Sequence, residues 1–259
     1  MRALALHEDV LLLESGIWHT AAVAIRSGDE AFLIDSPILP EELETLPSLF
    51  EQAGFPIVGL VATHADWDHL LGGQAFPDAP LAVAQTTAAR LTAEPGAAAR
   101  ELRQFDEQWY VKRARPLSMP AAEALPVPGL LEIGEQELEL HPTEGHTADG
   151  MAIFARWCGV LVLGDYISPV EIPMISPGGS ISAYKATLGR LRELVAQATS
   201  IVPGHGGLLD PIRADALVNE DLAYLNALEA DGASATLPLA RNTPEQRRIH
   251  AENVERSQS

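Results

Sequence analysis

Residues 63–73 read Thr-His-Ala-Asp-Trp-Asp-His-Leu-Leu-Gly-Gly, and this segment constrains the fold more than any other part of the chain. Within six positions it contains four side chains of metal-binding type: His64, Asp66, Asp68 and His69. The apolar run 57–61 just before them predicts a buried strand, so the four groups follow a strand end. Imidazole nitrogens and carboxylate oxygens bind zinc, iron and manganese. The motif alone is also compatible with a polar loop in which an aspartate only caps the next helix.

Three more candidate ligands lie later in the chain, each beside a glycine. His146, Asp165 and His205 all come just after a short run that predicts a strand. The neighbouring glycines permit tight turns and close backbone approach. A single Gly-His or Gly-Asp pair is ordinary loop sequence. All of these residues together, in this order, favour one metal centre at the ends of several strands.

This order of residues resembles the metallo-β-lactamase-fold hydrolases, whose motif is His-x-His-x-Asp-His, then a Gly-His, a bridging Asp and a final Gly-His. The matching positions here are His64, Asp66, Asp68, His69, His146, Asp165 and His205. Asp35, which ends the predicted strand 30–35, is similar to the family's early aspartate and is expected to hydrogen-bond the metal loop. The resemblance extends from about residue 10 to about residue 210. It implies an α+β four-layer αβ/βα sandwich with the metal site along one edge of two sheets.

The resemblance also implies two divalent metal ions, with zinc expected first and manganese or iron as alternatives. His64, Asp66 and His146 would hold one ion, Asp68, His69 and His205 the other, and Asp165 would bridge them. Asp68 would in addition act in catalysis by orienting the attacking water, as in zinc relatives. Tyr166, next to Asp165, is a candidate donor to a developing oxyanion, as a nearby tyrosine is in lactonase relatives, with packing as the alternative role.

Asp66 departs from the family motif, which has histidine at this position. An anion replaces a neutral imidazole, so the site would hold three carboxylates rather than two. The extra charge should strengthen cation retention and weaken Lewis acidity, and carboxylate-rich sites suit harder ions such as manganese or iron. The alternative is that Asp66 misses the metal and that only the second site is filled.

The ligand positions run through most of the chain, so residues 1–259 are expected to form a single metallo-hydrolase domain. A helical insertion is predicted at about 94–129 and a helical C-terminal tail from about 211. Within the insertion, Trp109 and Tyr110 are open between a substrate-lining and a packing role. A capping box at Thr243 predicts a last helix, expected to fray at the surface.

Composition narrows the partners. The net charge of −19 disfavours nucleic acid, whose phosphates require Lys and Arg, and equally disfavours anionic membrane surfaces. No apolar run reaches the length of a transmembrane helix, and the N-terminus lacks the pattern of a signal peptide. A cytoplasmic protein acting on a small-molecule substrate is therefore expected, with its oligomeric state left open. Cys158, the only cysteine, permits no intrachain disulfide.

The leading functional prediction is a metal-dependent hydrolase. A metal-activated water would attack an ester, thioester, lactone or phosphoester. A mononuclear iron dioxygenase of the persulfide type, which shares this fold, and a non-catalytic metal-binding module remain as alternatives. All seven ligand positions carry a competent donor, which argues against a degenerate site.

Overall fold

The computed structural model describes residues 1–118 and 121–257. Its first sheet has seven strands in chain order. They are β1 (Arg2–His7), β2 (Val10–Glu14), β3 (Ala21–Ser27), β4 (Glu30–Ile34), β5 (Ile57–Ala62), β6 (Leu81–Ala84) and β7 (Glu123–Leu125). Strands β1 to β4 pair antiparallel, and β4 to β7 pair parallel.

The second sheet has five strands, in the order β12-β11-β10-β9-β8. They are β8 (Gly129–Ile133), β9 (Gln136–Pro142), β10 (Met151–Ala155), β11 (Val160–Val162) and β12 (Ser200–Val202). Strands β8 to β11 pair antiparallel, whereas β11 and β12 pair parallel. Consequently β9, β11 and β12 all run in one direction, and their carboxyl ends lie at one edge of the sheet.

Helices cover the outer face of each sheet. They are α1 (Pro40–Ala53), α2 (Gly72–Ala75), α3 (Gln85–Ala93), α4 (Ala97–Trp109), α5 (Ile181–Val195), α6 (Pro211–Asp231) and α7 (Pro244–Ser257). Side chains of α1 and α4 pack on the outward residues of the first sheet, and those of α5, α6 and α7 pack on the second sheet. No helix among the described residues is long and apolar enough to cross a membrane.

The inner faces of the two sheets pack against each other. Alternation along β3 shows how, because Val23 and Ile25 face the second sheet while Ala22 and Ala24 face the helices. The order of layers is therefore helix, sheet, sheet, helix. The expectation of an α+β four-layer αβ/βα sandwich is confirmed.

The predicted insertion at 94–129 requires a correction. Its first part is helical, as α4, but Glu123–Leu125 forms β7 and extends the first sheet beside β6. The final part of the segment therefore belongs to the sandwich itself. Sequence reasoning missed β7 because a three-residue strand between prolines has no periodicity to detect.

The C-terminal helix lies at the surface, as predicted, but it is held to the rest of the protein by buried polar side chains that the sequence did not indicate. Helix α7 buries Ile249 and Asn253, and its polar side chains bind the loop between β11 and α5. The Gln246 side chain accepts a hydrogen bond from the backbone N–H of Ile172 at 2.7 Å. The Asn253 side chain accepts from the N–H of Ile175 and donates to the carbonyl of Pro173, both at 2.7 Å. The tail therefore holds a loop that borders the strand ends.

Candidate metal centre

All seven predicted ligands meet at the edge where the strands of both sheets end. They form two groups, one of His64, Asp66, His146 and Asp165 and the other of Asp68, His69 and His205. Within each group the ligand atoms lie within 4.8 Å of one another. We call the first group, with Asp165, metal site 1 and the second group metal site 2. The strand-end placement explains the convergence, because the ligands follow several different strands of the two facing sheets.

The carboxylate of Asp165 lies between the two sites. Its Oδ2 is 3.5 Å from Nε2 of His64 and 3.5 Å from Nε2 of His146. Its Oδ1 is 3.1 Å from Nε2 of His69 and 3.5 Å from Nε2 of His205. One oxygen therefore faces each site. Gly204 makes this position accessible, since a Cβ there would lie 2.2 Å from Oδ1 of Asp165.

The four histidines are oriented in the same way, with Nδ1 bonded outward and Nε2 directed to the centre. His146 Nδ1–H donates to the carbonyl of Met174 at 2.9 Å. His205 Nδ1 lies 3.3 Å from the carbonyl of Trp18 and from Oγ1 of Thr20. A carbonyl can only accept, so the proton of His146 lies on Nδ1 and its Nε2 lone pair is free. This is the usual tautomer of a metal-bound histidine whose other nitrogen is held by the protein.

Asp35 holds the other two histidines through its carboxylate. Its Oδ2 is 2.9 Å from Nδ1 of His69, and it also accepts from Oγ1 of Thr63 at 2.9 Å. Because the Thr63 hydroxyl proton is used there, Thr63 Oγ1 accepts from Nδ1 of His64 at 3.0 Å. The structure thus places Asp35 where the sequence predicted it, behind the metal loop and in contact with a ligand.

The donor set fits divalent metal ions. Nε2 of His64, Nε2 of His69 and Oδ1 of Asp165 are buried and have no hydrogen-bond partner. Leaving buried polar atoms unpaired is costly, and such atoms in a native protein call for a ligand or ion. Here several of them converge on common points from different strands. Nitrogen and carboxylate oxygen together match zinc, manganese or iron rather than magnesium or calcium.

The electrostatics of the centre also favour bound cations. Burial opposes ionisation of Asp165, but His205, His69 and His64 hold the pKa of its carboxyl group well below the usual range. Burial likewise opposes ionisation of Asp66, whereas the neighbouring His146 and His64 keep the pKa of its carboxyl group well below the ordinary value. The carboxylates therefore stay anionic, and divalent cations would supply the balancing positive charge.

Arg90 is the residue that sequence reasoning missed. It lies in the last turn of α3, and one of its guanidinium nitrogens is 2.8 Å from Oδ1 of Asp66. Another nitrogen donates to Oδ1 of the buried Asp149 at 2.9 Å. Oδ2 of Asp149 accepts from the backbone N–H of Ala65 at 3.0 Å, inside the metal loop. The positive charge of Arg90 thus offsets the extra carboxylate of Asp66. The sequence alone had predicted a more negative site.

The structure does not support the predicted catalytic role of Tyr166. Its hydroxyl group is buried, accepts from the backbone N–H of His146 at 3.0 Å and donates to the carbonyl of Thr143 at 3.3 Å. Burial also raises the pKa of this phenol. With its single proton committed to Thr143, the hydroxyl supports the backbone of a ligand instead of donating to a substrate oxygen.

Substitution of Tyr166 by phenylalanine should therefore cost stability and leave catalysis nearly intact. The unpaired N–H of His146 predicts a loss of about 1–3 kcal/mol in the free energy of unfolding. Removal of an oxyanion donor would instead lower kcat by about 10²–10³-fold. Urea denaturation and steady-state kinetics would distinguish the two, with Tyr224→Phe as a control at a buried tyrosine whose hydroxyl contacts Asn253 and no ligand. A large kcat loss with unchanged stability would restore the catalytic assignment.

The structure also places the other residues that the sequence suggested near the site. Trp67 is buried and packs against Trp18 and Phe105, so it supports the metal loop from behind. Glu171 lines a small cavity together with His146 and Asp165, and burial raises its pKa. His19 is exposed, and its contact near the site is made by its backbone carbonyl, which accepts a hydrogen bond from the N–H of Gly206. Trp109 and Tyr110 are exposed at the end of α4.

Comparisons with known proteins agree with the fold of this chain. The family model for the metallo-β-lactamase superfamily matches residues 15–205. A metallo-β-lactamase from Pontibacter korlensis has a similar structure, with a TM-score of 0.66 and 19% identity over 87% of this chain and 98% of that one. A metallo-β-lactamase family protein from Thermus thermophilus gives a TM-score of 0.69 and 21% identity over 96% of this chain and 92% of that one. No curated protein matches the chain. The family model covers most of the sequence and includes every ligand position, so the chain belongs to the metallo-β-lactamase superfamily.

Proposed function

We propose that the protein is a hydrolase with two metal ions and a small-molecule substrate. The observation that carries the proposal is the position of Asp165, whose two oxygens each face a separate group of ligands. A single metal ion would need one such group, and the second would then be a costly cluster of buried polar atoms without a purpose. The shared carboxylate favours the two-metal hydrolase over the mononuclear iron dioxygenase.

Bound divalent cations would lower the pKa of a coordinated water towards neutrality and polarise the oxygen of a carbonyl or phosphoryl group. The protein's own contribution is orientation. Asp35 contacts Nδ1 of His69, and the carbonyl of Met174 accepts a hydrogen bond from Nδ1 of His146. These contacts fix the orientation of both imidazole rings before a metal ion binds. Asp68, whose Oδ2 lies 3.3 Å from Nε2 of His205, would orient the attacking water.

The substrate class follows from this chemistry. Activated water attacks carbonyl and phosphoryl groups with a leaving group, which are present in esters, thioesters, lactones and phosphoesters. Zinc is the first expected metal, with manganese or iron as alternatives because of the carboxylate at Asp66.

Removal of metal should abolish the activity. Protein purified without added metal is expected to contain about two equivalents of a divalent transition metal and to hydrolyse a member of a panel of aryl esters, acyl thioesters, lactones, phosphodiesters and a chromogenic β-lactam. Treatment with a chelator should reduce the rate to background, and two equivalents of zinc or manganese should restore it. Elemental analysis and steady-state rates are the measurements.

Two results would contradict this function. One equivalent of iron, with consumption of oxygen on a thiol or persulfide substrate, would favour the dioxygenase. Two firmly bound metal ions with no hydrolysis of any class would favour the non-catalytic metal-binding module.

A further inference from the structure

The carboxylate of Asp66 has two different surroundings, one for each oxygen. Its Oδ2 faces metal site 1, 3.2 Å from Nε2 of His146 and 3.6 Å from Nε2 of His64. Its Oδ1 is turned away from the histidines and lies 2.8 Å from the Arg90 guanidinium. A free carboxylate can rotate and present either oxygen or both to a cation. Here Oδ1 already forms an ion pair with Arg90.

Arg90 is itself held from a second direction. Its guanidinium donates to Oδ1 of Asp149, a side chain that is almost completely buried, and the side chain of Arg90 is only 18% exposed. The planar guanidinium fork thus spans two carboxylates, and a flexible ammonium group cannot reproduce that geometry. Asp149 in turn accepts from the N–H of Ala65. These contacts fix the backbone and the side chain of the same stretch of metal loop.

We propose that Arg90 is a positioning residue for Asp66, which it restricts to a single ligand oxygen at metal site 1. The inference rests on the proposed two-metal function. It also accounts for the aspartate in this chain, because the guanidinium cancels the charge that separates aspartate from the histidine of the family motif. Without Arg90, Oδ1 of Asp66 would lose its ion-pair partner, and the carboxylate could rotate away from the orientation that a cation at metal site 1 requires.

The proposal predicts a metal-binding defect confined to one site. Metal-free protein is titrated with zinc, and separately with manganese, in competition with a chromogenic chelator. The wild-type protein should bind in two steps, and the step altered by Asp66→His is assigned to metal site 1. Arg90→Met should weaken that step about 10- to 100-fold, the usual effect of losing a group that orients a ligand, and leave the other step unchanged.

A double-mutant cycle separates positioning from general structural support. In the Asp66→His protein no carboxylate needs to be held, so adding Arg90→Met should change the same step less than about threefold. Arg113→Met is the matched control, because Arg113 forms a similarly buried ion pair with Asp106, at 2.9 Å, away from the ligands. It should change neither step. Thermal unfolding of each metal-free variant shows whether the fold is retained.

Each alternative result is distinguishable. If Arg90→Met weakened binding equally in the wild-type and Asp66→His proteins, the proposal would be overturned and Arg90 would be a tie between α3 and the loops. Unchanged metal binding in Arg90→Met would also overturn the proposal, because Arg90 would then have no effect on the ligand. Tighter binding would overturn it too, because the guanidinium would then act on the cation only as a competing charge. A wild-type protein that binds no second ion would contradict the proposed function and, with it, this inference.

Discussion

Replacement of Asp165 by asparagine is expected to lower hydrolysis at least about a thousandfold, on the order of 4 kcal/mol of transition-state stabilisation, and to release one metal ion. The physical reason is the division of the carboxylate between the two sites, with Oδ2 near His64 and Oδ1 near His69. An asparagine offers one neutral oxygen, and its amide group would direct N–H donors at the other site. No change of rotamer can restore two anionic contacts.

The measurements are metal content after gel filtration and steady-state kinetics with the best substrate. Asp9→Asn is the control for loss of an aspartate elsewhere, because Asp9 is only partly buried and pairs with Arg26 at 2.8 Å. It should bind two metal ions and turn over at the wild-type rate. An Asp165→Asn protein that retained both ions and normal turnover would show that the carboxylate does not bridge.

The position of the candidate ligands was predictable from the sequence for a chemical reason. Imidazole and carboxylate groups at fixed spacing, each close behind a strand, are rarely found several times in order unless they bind metal. The strands themselves were readable because β-branched and aliphatic runs between turn residues are local signals. The meeting of His64, His146 and His205 follows once their strands lie in two sheets with a common edge.

Arg90 could not be predicted in the same way. An arginine in the last turn of a helix is ordinary, since it suits the helix dipole and solvent. Only the packing of α3 brings it to Asp66 and Asp149, and no local pattern encodes that contact. The prediction for Tyr166, in contrast, relied on a local pattern, its place next to Asp165. Asp165 is a candidate ligand, but the phenol of Tyr166 is buried in the core beside Tyr184.

The polar C-terminal helix shows a further limit. Glutamine, asparagine and arginine are mostly surface residues, so α7 was expected to fray. In the structure Gln246 and Asn253 are buried because they satisfy backbone groups of the loop 168–175, which has no sheet to pair with. That loop also provides the Met174 carbonyl that orients His146. Composition alone cannot tell a polar side chain that faces water from one that replaces water.

Arg241 anchors the same loop, and Arg241→Met is expected to have the largest effect on stability. Its guanidinium is fully buried, lies 2.5 Å from Oδ1 of the buried Asp221 and donates to the carbonyls of Glu171 and Ser168 at 2.7 and 3.3 Å. Methionine fills a similar volume but leaves Asp221 without a counterion. Breaking a buried pair by removing one partner typically costs about 3–5 kcal/mol.

The loss should depend on pH. Burial raises the pKa of Asp221 to about 7 although the neighbouring Arg241 lowers it, so removing the arginine raises it further. A carboxyl group whose folded-state pKa exceeds its unfolded value, about 3.9, stabilises the fold less as the pH rises between the two values. In the wild-type protein this decline ends near pH 7, whereas in the variant it continues above that pH.

Urea denaturation of metal-free protein at two pH values tests both statements. Near pH 5, where Asp221 is neutral in both proteins, Arg241→Met should lose only its hydrogen bonds to the loop and leave the carbonyl groups of Ser168 and Glu171 unpaired, about 2–4 kcal/mol. Near pH 8 the loss should reach about 3–5 kcal/mol, because the variant must then bury an unpaired carboxylate or keep it protonated. Arg192→Met, which breaks an exposed pair with Asp215, should change little at either pH. A pH-independent loss in Arg241→Met would mean that packing of the arginine, and not its charge, holds the loop beside the metal ligands.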